Sequence, residues 1–139
     1  MRTVRGPDDA TYLLLKRSGD ASLVRDPATG EEHYVENDRL DPAGGASPLG
    51  AAAEAVPEGR RRLVTAVRDE RSLGLLVELD RRGPTAVRTL MCAYDLCESD
   101  MHGLLAEFRA AGLIEERAVA GERGYALTGP GSDALDALR

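Results

Sequence analysis

The stretch from Glu98 to Thr128 constrains the fold more than any other part of the chain. Met101, Leu104, Leu105 and Phe108 fall at i, i+3, i+4 and i+7, the spacing of one apolar helix face. Gly112 ends that helix after Ala111. Leu113 to Ala118 then reads as a strand, Gly121-Glu122-Arg123-Gly124 as a hairpin tip, and Tyr125 to Thr128 as the return strand. Upstream, Ser72 is expected to cap a helix over Leu73 to Arg82 that is apolar almost all round, with Gly83 as its stop. A second helix follows Thr85, with Val87, Leu90 and Met91 at helical spacing, and Tyr94-Asp95-Leu96 is a short turn into the third. Ser132 to Leu138 reads as a last short helix. This half of the chain is therefore three helices, an antiparallel hairpin and a closing helix.

The other half reads differently. Thr11 to Arg17 and Leu23-Val24 are short strands separated by Ser18-Gly19-Asp20, and Glu31 to Glu36 is a third after Asp26-Pro27-Ala28-Thr29-Gly30. Three strands so joined make an antiparallel meander over residues 1–40. A unit this small is expected to pack on the rest of the chain or on a second subunit. Residues 41–58 are a linker by composition with a short helix inside it, Ser47 capping and Pro48 in the first turn. Val56-Pro57 breaks that helix, and a further one to about Arg68 places Leu63, Val64 and Val67 on one face. The expected architecture is α+β, with a third region over residues 59–139.

The 139 residues suffice for a real core. No apolar run approaches the roughly 20 residues of a membrane span, and Met1 to Ala10 lacks a signal-like apolar core, so a cytoplasmic protein is expected. Cys92 and Cys97 are too few for a disulfide framework and are expected half-buried. The net charge is −6, Lys16 is the only lysine, and glutamine is absent. A GC-rich genome and a salt-rich cytosol both produce such a bias, and the acid excess favours the halophilic reading. Residues 59–88 carry 8 bases and 4 acids, whereas residues 1–58 carry 6 and 11, and residues 89–139 carry 4 and 9. A basic middle thus lies between acidic flanks.

Three helices followed by a hairpin and a helix is the order of a winged helix-turn-helix, and the short interval between helices two and three is what that motif demands. Residues 66–138 resemble the winged-helix DNA-binding regulators of bacteria and archaea, the broad ArsR/MarR-like group. The likeness rests on Ala66-Val67-Arg68-Asp69-Glu70-Arg71-Ser72, on Gly83-Pro84, on Leu104 to Ile114 with its Ala-Gly-Leu-Ile close, and on Tyr125-Ala126-Leu127-Thr128 with Gly131. The whole chain is also similar to a family of small uncharacterised haloarchaeal proteins, through Tyr12 to Ser18, Leu23 to Glu32 and Tyr94 to Asp100. That second likeness supports the halophilic reading and implies no activity.

The first likeness implies a transcriptional regulator that binds double-stranded DNA as a homodimer. It puts Cys97 at the cap of the third helix and leaves Ser99, His102, Gly103, Ala106 and Arg109 on its outer face. Ser99 and His102 would approach base edges, with Gly103 and Arg109 on the same outer face. Arg81 and Arg88 near the second helix, and Arg117 and Arg123 on or beside the wing, would hold phosphates. Against this, the first two turns of the third helix hold none of the Arg, Lys, Asn or Gln that direct readout favours, and Glu98 and Asp100 repel phosphate. Those four arginines and Arg82 would otherwise form surface pairs with Asp80, Glu78 and Glu122. The alternative is a winged helix that binds a protein partner and no DNA. Cys92, Cys97 and His102 make a poor metal set, since structural zinc wants four ligands. No nucleotide, serine-hydrolase or zinc-protease motif occurs. No enzyme activity, cofactor, metal or membrane association is expected.

Overall fold

Arg2–Arg5 (β1), Thr11–Arg17 (β2), Ala21–Arg25 (β3) and Glu32–Glu36 (β4) form a sheet with Asp41–Pro42 (β5), in the order β4-β3-β2-β1-β5, every pair antiparallel. The computed structural model describes residues 1–43 and 47–139; Gly44, Gly45 and Ala46, in the stretch read as a linker, lie outside the described residues. The chain is α+β and divides into two compact units, Met1–Pro57 and Glu58–Arg139.

In the first unit the expected three-stranded meander is a five-stranded sheet. β1 pairs with β2 across the Gly6–Ala10 turn, where Asp9 takes a left-handed φ of 63°. The Tyr12 hydroxyl donates to Asp8 at 2.7 Å and steadies that turn. β5 is held by its pairing to β1 and falls inside the stretch read as a linker. One face of the sheet buries Val4, Tyr12 and Val24, with Leu14, Val35 and Leu40 against them. On the other face Leu13 is fully buried, and helix α1 (Pro48–Ala52) lies against β1 and β2. The Ser47 hydroxyl accepts from the Gly50 amide at 3.2 Å, and Pro48 opens the helix, as the sequence indicates.

The second unit comprises α2 (Glu58–Ala66), α3 (Glu70–Arg82), β6 (Thr85–Ala86), α4 (Val87–Tyr94), α5 (Glu98–Ala110), β7 (Ile114–Val119), β8 (Glu122–Leu127) and α6 (Gly129–Asp136). Its core joins Leu63, Leu75, Leu76, Leu79, Leu90, Met101, Leu105, Phe108, Leu113, Ile114 and Tyr125. Val64 does not share the inward face of α2 with Leu63, as expected, but stands 63% exposed. The cap of α3 is Asp69, not Ser72. The Asp69 carboxylate accepts from the Ser72 amide at 2.9 Å, and Ser72 accepts from the Asp69 amide at 3.2 Å, a reciprocal capping box. α6 starts earlier than expected, because Thr128 caps it by accepting from the Gly131 amide at 3.0 Å. A Cβ on Gly131 would lie 2.2 Å from the Leu113 carbonyl oxygen, so only glycine lets the helix approach there.

Asp80 on α3 accepts from Ser132 at 3.0 Å and from Arg139 at 2.6 Å. The Arg139 hydrogen bond, aided by Ser132, holds its carboxyl below the usual 3.8 despite some desolvation. A depressed carboxylate pKa stabilises the fold above the unfolded value, and that contribution fades as pH falls through the lowered one. An Asp80→Asn variant should therefore melt below the parent at neutral pH and approach it in acid, which a melting series against pH checks. A constant difference across the series would remove Asp80 from the acid response.

Candidate nucleic-acid interface

Helices α4 and α5 are joined by three residues, Asp95 to Cys97. Asp95 adopts the left-handed conformation (φ 50°, ψ 44°) that turns the chain after α4. Cys97 is the N-cap of α5 but makes no capping bond through its side chain. Its sulfur sits 3.4 Å from the Ser99 hydroxyl. Both cysteines are exposed, not half-buried, because the apolar faces of α4 and α5 point elsewhere.

Met101, Leu105 and Phe108 fix the buried face of α5, with Leu104 partly buried at its edge. At 3.6 residues per turn the opposite face must then carry Ser99, His102, Gly103, Ala106 and Arg109, and all five are exposed. His102 Nε2 lies 3.6 Å from the Glu98 carboxylate, one turn back. Glu107 is held by the guanidinium of Arg68 through both carboxylate oxygens, one contact being Nε to Oε2 at 2.9 Å. That pairing withdraws an acid from the outer face. Arg68 and Arg71 line a groove shared with Asp69, Ser99, Asp100, Gly103 and Leu104. Neither arginine stands out in the sequence as part of the site; for Arg68, a bidentate partner 39 residues away leaves no local signal.

The hairpin tip is Ala120-Gly121, both residues at positive φ (51° and 80°), so the tip lies nearer Ala120 than expected and Arg123 and Gly124 belong to β8. Both residues left-handed is the two-residue turn that matches strand twist, and alanine is a poor occupant of its first position. An Ala120→Asn variant is expected to gain about 0.5–1 kcal/mol, read as a higher Tm. A loss would contradict this turn geometry.

Cross-strand pairing places Glu116 opposite Tyr125 and Ala118 opposite Arg123, whereas Arg117 lies opposite Gly124 and Val119 opposite Glu122. Side chains alternate between faces along a strand, so Arg123 and Arg117 project from opposite faces of the hairpin. On the face beside α5, Glu116 pairs with Arg123 at 2.8 Å and Arg109 at 3.6 Å. Arg123 also donates to the Tyr125 hydroxyl at 3.0 Å, and that bond leads the causes raising its pKa, so it stays charged. His102, Ala106, Arg109, Ala110, Arg123 and Tyr125 line one groove. On the other face Arg117 pairs with Glu115 at 3.0 Å, and Arg88 of α4 reaches Glu122 at 3.5 Å. Arg81 is exposed at the end of α3 without an ion pair among the described residues. Arg82 is engaged by the Tyr94 hydroxyl at 2.7 Å.

The middle strand has no room for a side chain at Gly124. A Cβ there would lie 2.6 Å from the Thr85 carbonyl oxygen and 3.0 Å from that of Arg117. This close approach lets β6 join the hairpin in one small sheet, in the order β6-β8-β7. Among the described residues no three His, Cys, Asp or Glu side chains converge, Cys92, Cys97 and His102 included. No helix among the described residues is long and apolar enough to cross a membrane.

A family model for a family of unknown function (DUF7346) matches residues 1–139. No curated protein matches the chain. Among solved structures, HlyU from Vibrio cholerae N16961 is 26% identical with a TM-score of 0.50, over 58% of this chain and 87% of that one. The transcriptional regulator HlyU from Vibrio vulnificus CMCP6 is 27% identical over 55% of this chain and 80% of that one, with a TM-score of 0.47. An ArsR family transcriptional regulator is 22% identical over 60% and 84%, with a TM-score of 0.46. Over that 58% of the chain, the fold is similar to that of Vibrio cholerae HlyU.

Proposed function

The chain belongs to the family of unknown function DUF7346, and we propose that it is a DNA-binding transcriptional regulator whose Glu58–Arg139 unit is a winged helix-turn-helix. The observation that carries this reading is the outer face of α5. Ser99, His102, Gly103, Ala106 and Arg109 are left uncovered by the fold, and Arg123 of the hairpin flanks the same groove. In the proposed complex α5 enters the major groove, where the N-terminal residues of a recognition helix meet base edges. Ser99 and His102 contact bases, and small Gly103 and Ala106 let the backbone come close. Arg109 and Arg123 hold phosphates on one side of the hairpin, Arg88 and Arg117 on the other, and Arg81 at the end of α3. The pairs to Glu115, Glu116 and Glu122 do not bar this. Exposed ion pairs are worth about 0–1 kcal/mol, so phosphate can displace them. The likeness to Vibrio cholerae HlyU supports the fold underlying the reading. A cytoplasmic homodimer reading two-fold-related half-sites completes it.

Selection of bound duplexes from a random pool, repeated over a salt series, tests the proposal. An enriched motif that disappears in a Ser99→Ala, His102→Ala double variant is the expected result. Absence of enrichment at every salt concentration would contradict it. The acids of the same surface favour a second reading, a winged helix that docks a protein. Glu98 and Asp100 sit in the first turn of α5, and each wing arginine already has a glutamate. On that reading His102→Arg breaks a protein complex and changes no DNA association.

A further inference from the structure

We propose that the Met1–Pro57 unit holds a binding site for a small organic carboxylate, in a cavity of about 140 Å³ between Arg2 and Arg17 on one face of its sheet. The register brings the two arginines to that face. Arg2 stands opposite Leu14, and Leu14 opposite Val24. Beyond Leu14 the β2–β3 ladder slips by one residue, so that Lys16 meets Leu23 and Arg17 meets Ser22. Cross-strand partners share a face, and Ser22 and Val24 are two apart on β3, so Arg17 joins Leu14, Arg2 and Ser22. Without the bulge at Leu15 the side chain of Arg17 would project from the opposite face. A bulge that re-aims one side chain beside a cavity is a recurrent device at binding sites.

The chemistry of the walls selects the ligand. Val4, Leu14, Leu40 and Pro42 supply apolar surface, Arg2 and Arg17 supply positive charge, and no carboxylate lines the cavity. This holds within residues 1–57, which carry 6 bases and 10 acids. Among the described residues neither Arg2 nor Arg17 has an ion pair, whereas the wing arginines all do. Buried Ser22 spends its hydroxyl proton on Asn37 Oδ1 at 2.5 Å, and Asn37 Nδ2 donates to the carbonyls of Ser18 and Gly19. The polar side is thus locked, and the donors left for a ligand are the guanidiniums. A guanidinium binds carboxylate through paired N–H groups. The apolar walls reward a short hydrocarbon body, which inorganic phosphate lacks. Sites for drug-sized molecules span about 300–1,000 Å³, so this cavity suits only a few heavy atoms.

The test is an amide-resolved NMR titration of the full chain at constant ionic strength, with sodium butyrate, neutral butyramide and sodium phosphate as probes. Butyrate is expected to shift Thr3, Leu14, Arg17 and Ser22 saturably, with a Kd of about 1 mM. Butyramide and phosphate should each bind at least about 10-fold more weakly. Arg2→Ala and Arg17→Ala should each weaken butyrate about 10-fold, while Arg25→Ala, on the other face of β3, should not. The spectra themselves show whether each variant keeps its fold. No saturable shift at those amides, an equal response to butyramide or phosphate, or unchanged binding in both arginine variants would overturn the proposal. The site stands on the first unit alone, so its failure leaves the DNA reading untouched.

Discussion

A Phe108→Ala variant is expected to lose about 3–5 kcal/mol of stability, as large aromatic truncations in sealed cores do. Phe108 is 0% exposed and lies among the residues that join α5 to α2, α3 and the hairpin. A domain of this size has only about 5–15 kcal/mol in all, so the second unit would melt lower by roughly 15 °C or more. The exposed side chain of the same helix provides the contrast: His102→Ala should stay within about 0.5 kcal/mol of the parent. Thermal melts of the two variants read this directly. Similar Tm values for Phe108→Ala and His102→Ala would contradict the division of α5 into a buried and an outer face, on which the site depends.

The second large effect concerns DNA. An Arg109→Ala, Arg123→Ala double variant is expected to weaken duplex association about 10- to 100-fold and to lower the salt slope by about 2. Both arginines flank the groove beside α5 and share Glu116. Removing them deletes two phosphate contacts and leaves Glu116 uncompensated, so its charge opposes the duplex. Arg117→Ala frees only Glu115, on the opposite face of the hairpin, and should cost less. The side chains are exposed, so the melting temperature should move little. Fluorescence anisotropy over a salt series measures affinity and slope together. An unchanged slope in the double variant would remove this face of the hairpin from the interface.

The third helix was legible because its periodicity is complete: once Met101, Leu105 and Phe108 are assigned inward, the outer residues follow as their complement. Ser47-Pro48 was legible for a similar reason, since a cap and a first-turn proline are local signals. β1 was not, because Arg2-Thr3-Val4-Arg5 is short and bracketed by charge, and only pairing with β2 and β5 makes it a strand. Ser72 drew the start of α3 too late, because both it and Asp69 suit a cap and the reciprocal bonds that make Asp69 the N-cap are visible only in three dimensions. The Gly129-Pro130-Gly131 run resembles a loop, yet it opens α6 behind the Thr128 cap. Glu122 does take Arg88, as charge suggests, but Asp80 pairs with Arg139 and not with the arginines of the site. The separation of Arg117 from Arg123 was not legible, because it depends on where the hairpin turns. A tip at Ala120-Gly121 sets the alternation of both strands, and that location decides which arginine stands beside α5.

The proposed DNA-binding role is tested most directly by mapping where a tagged copy sits on chromatin, cross-linked in the salt of its own cell. Dilute buffer would exaggerate charge repulsion for a chain of net charge −6. Discrete peaks that share a two-fold-related motif and vanish in the Ser99→Ala, His102→Ala variant are the expected result. An empty map from a tagged protein shown to be expressed and folded would contradict that role.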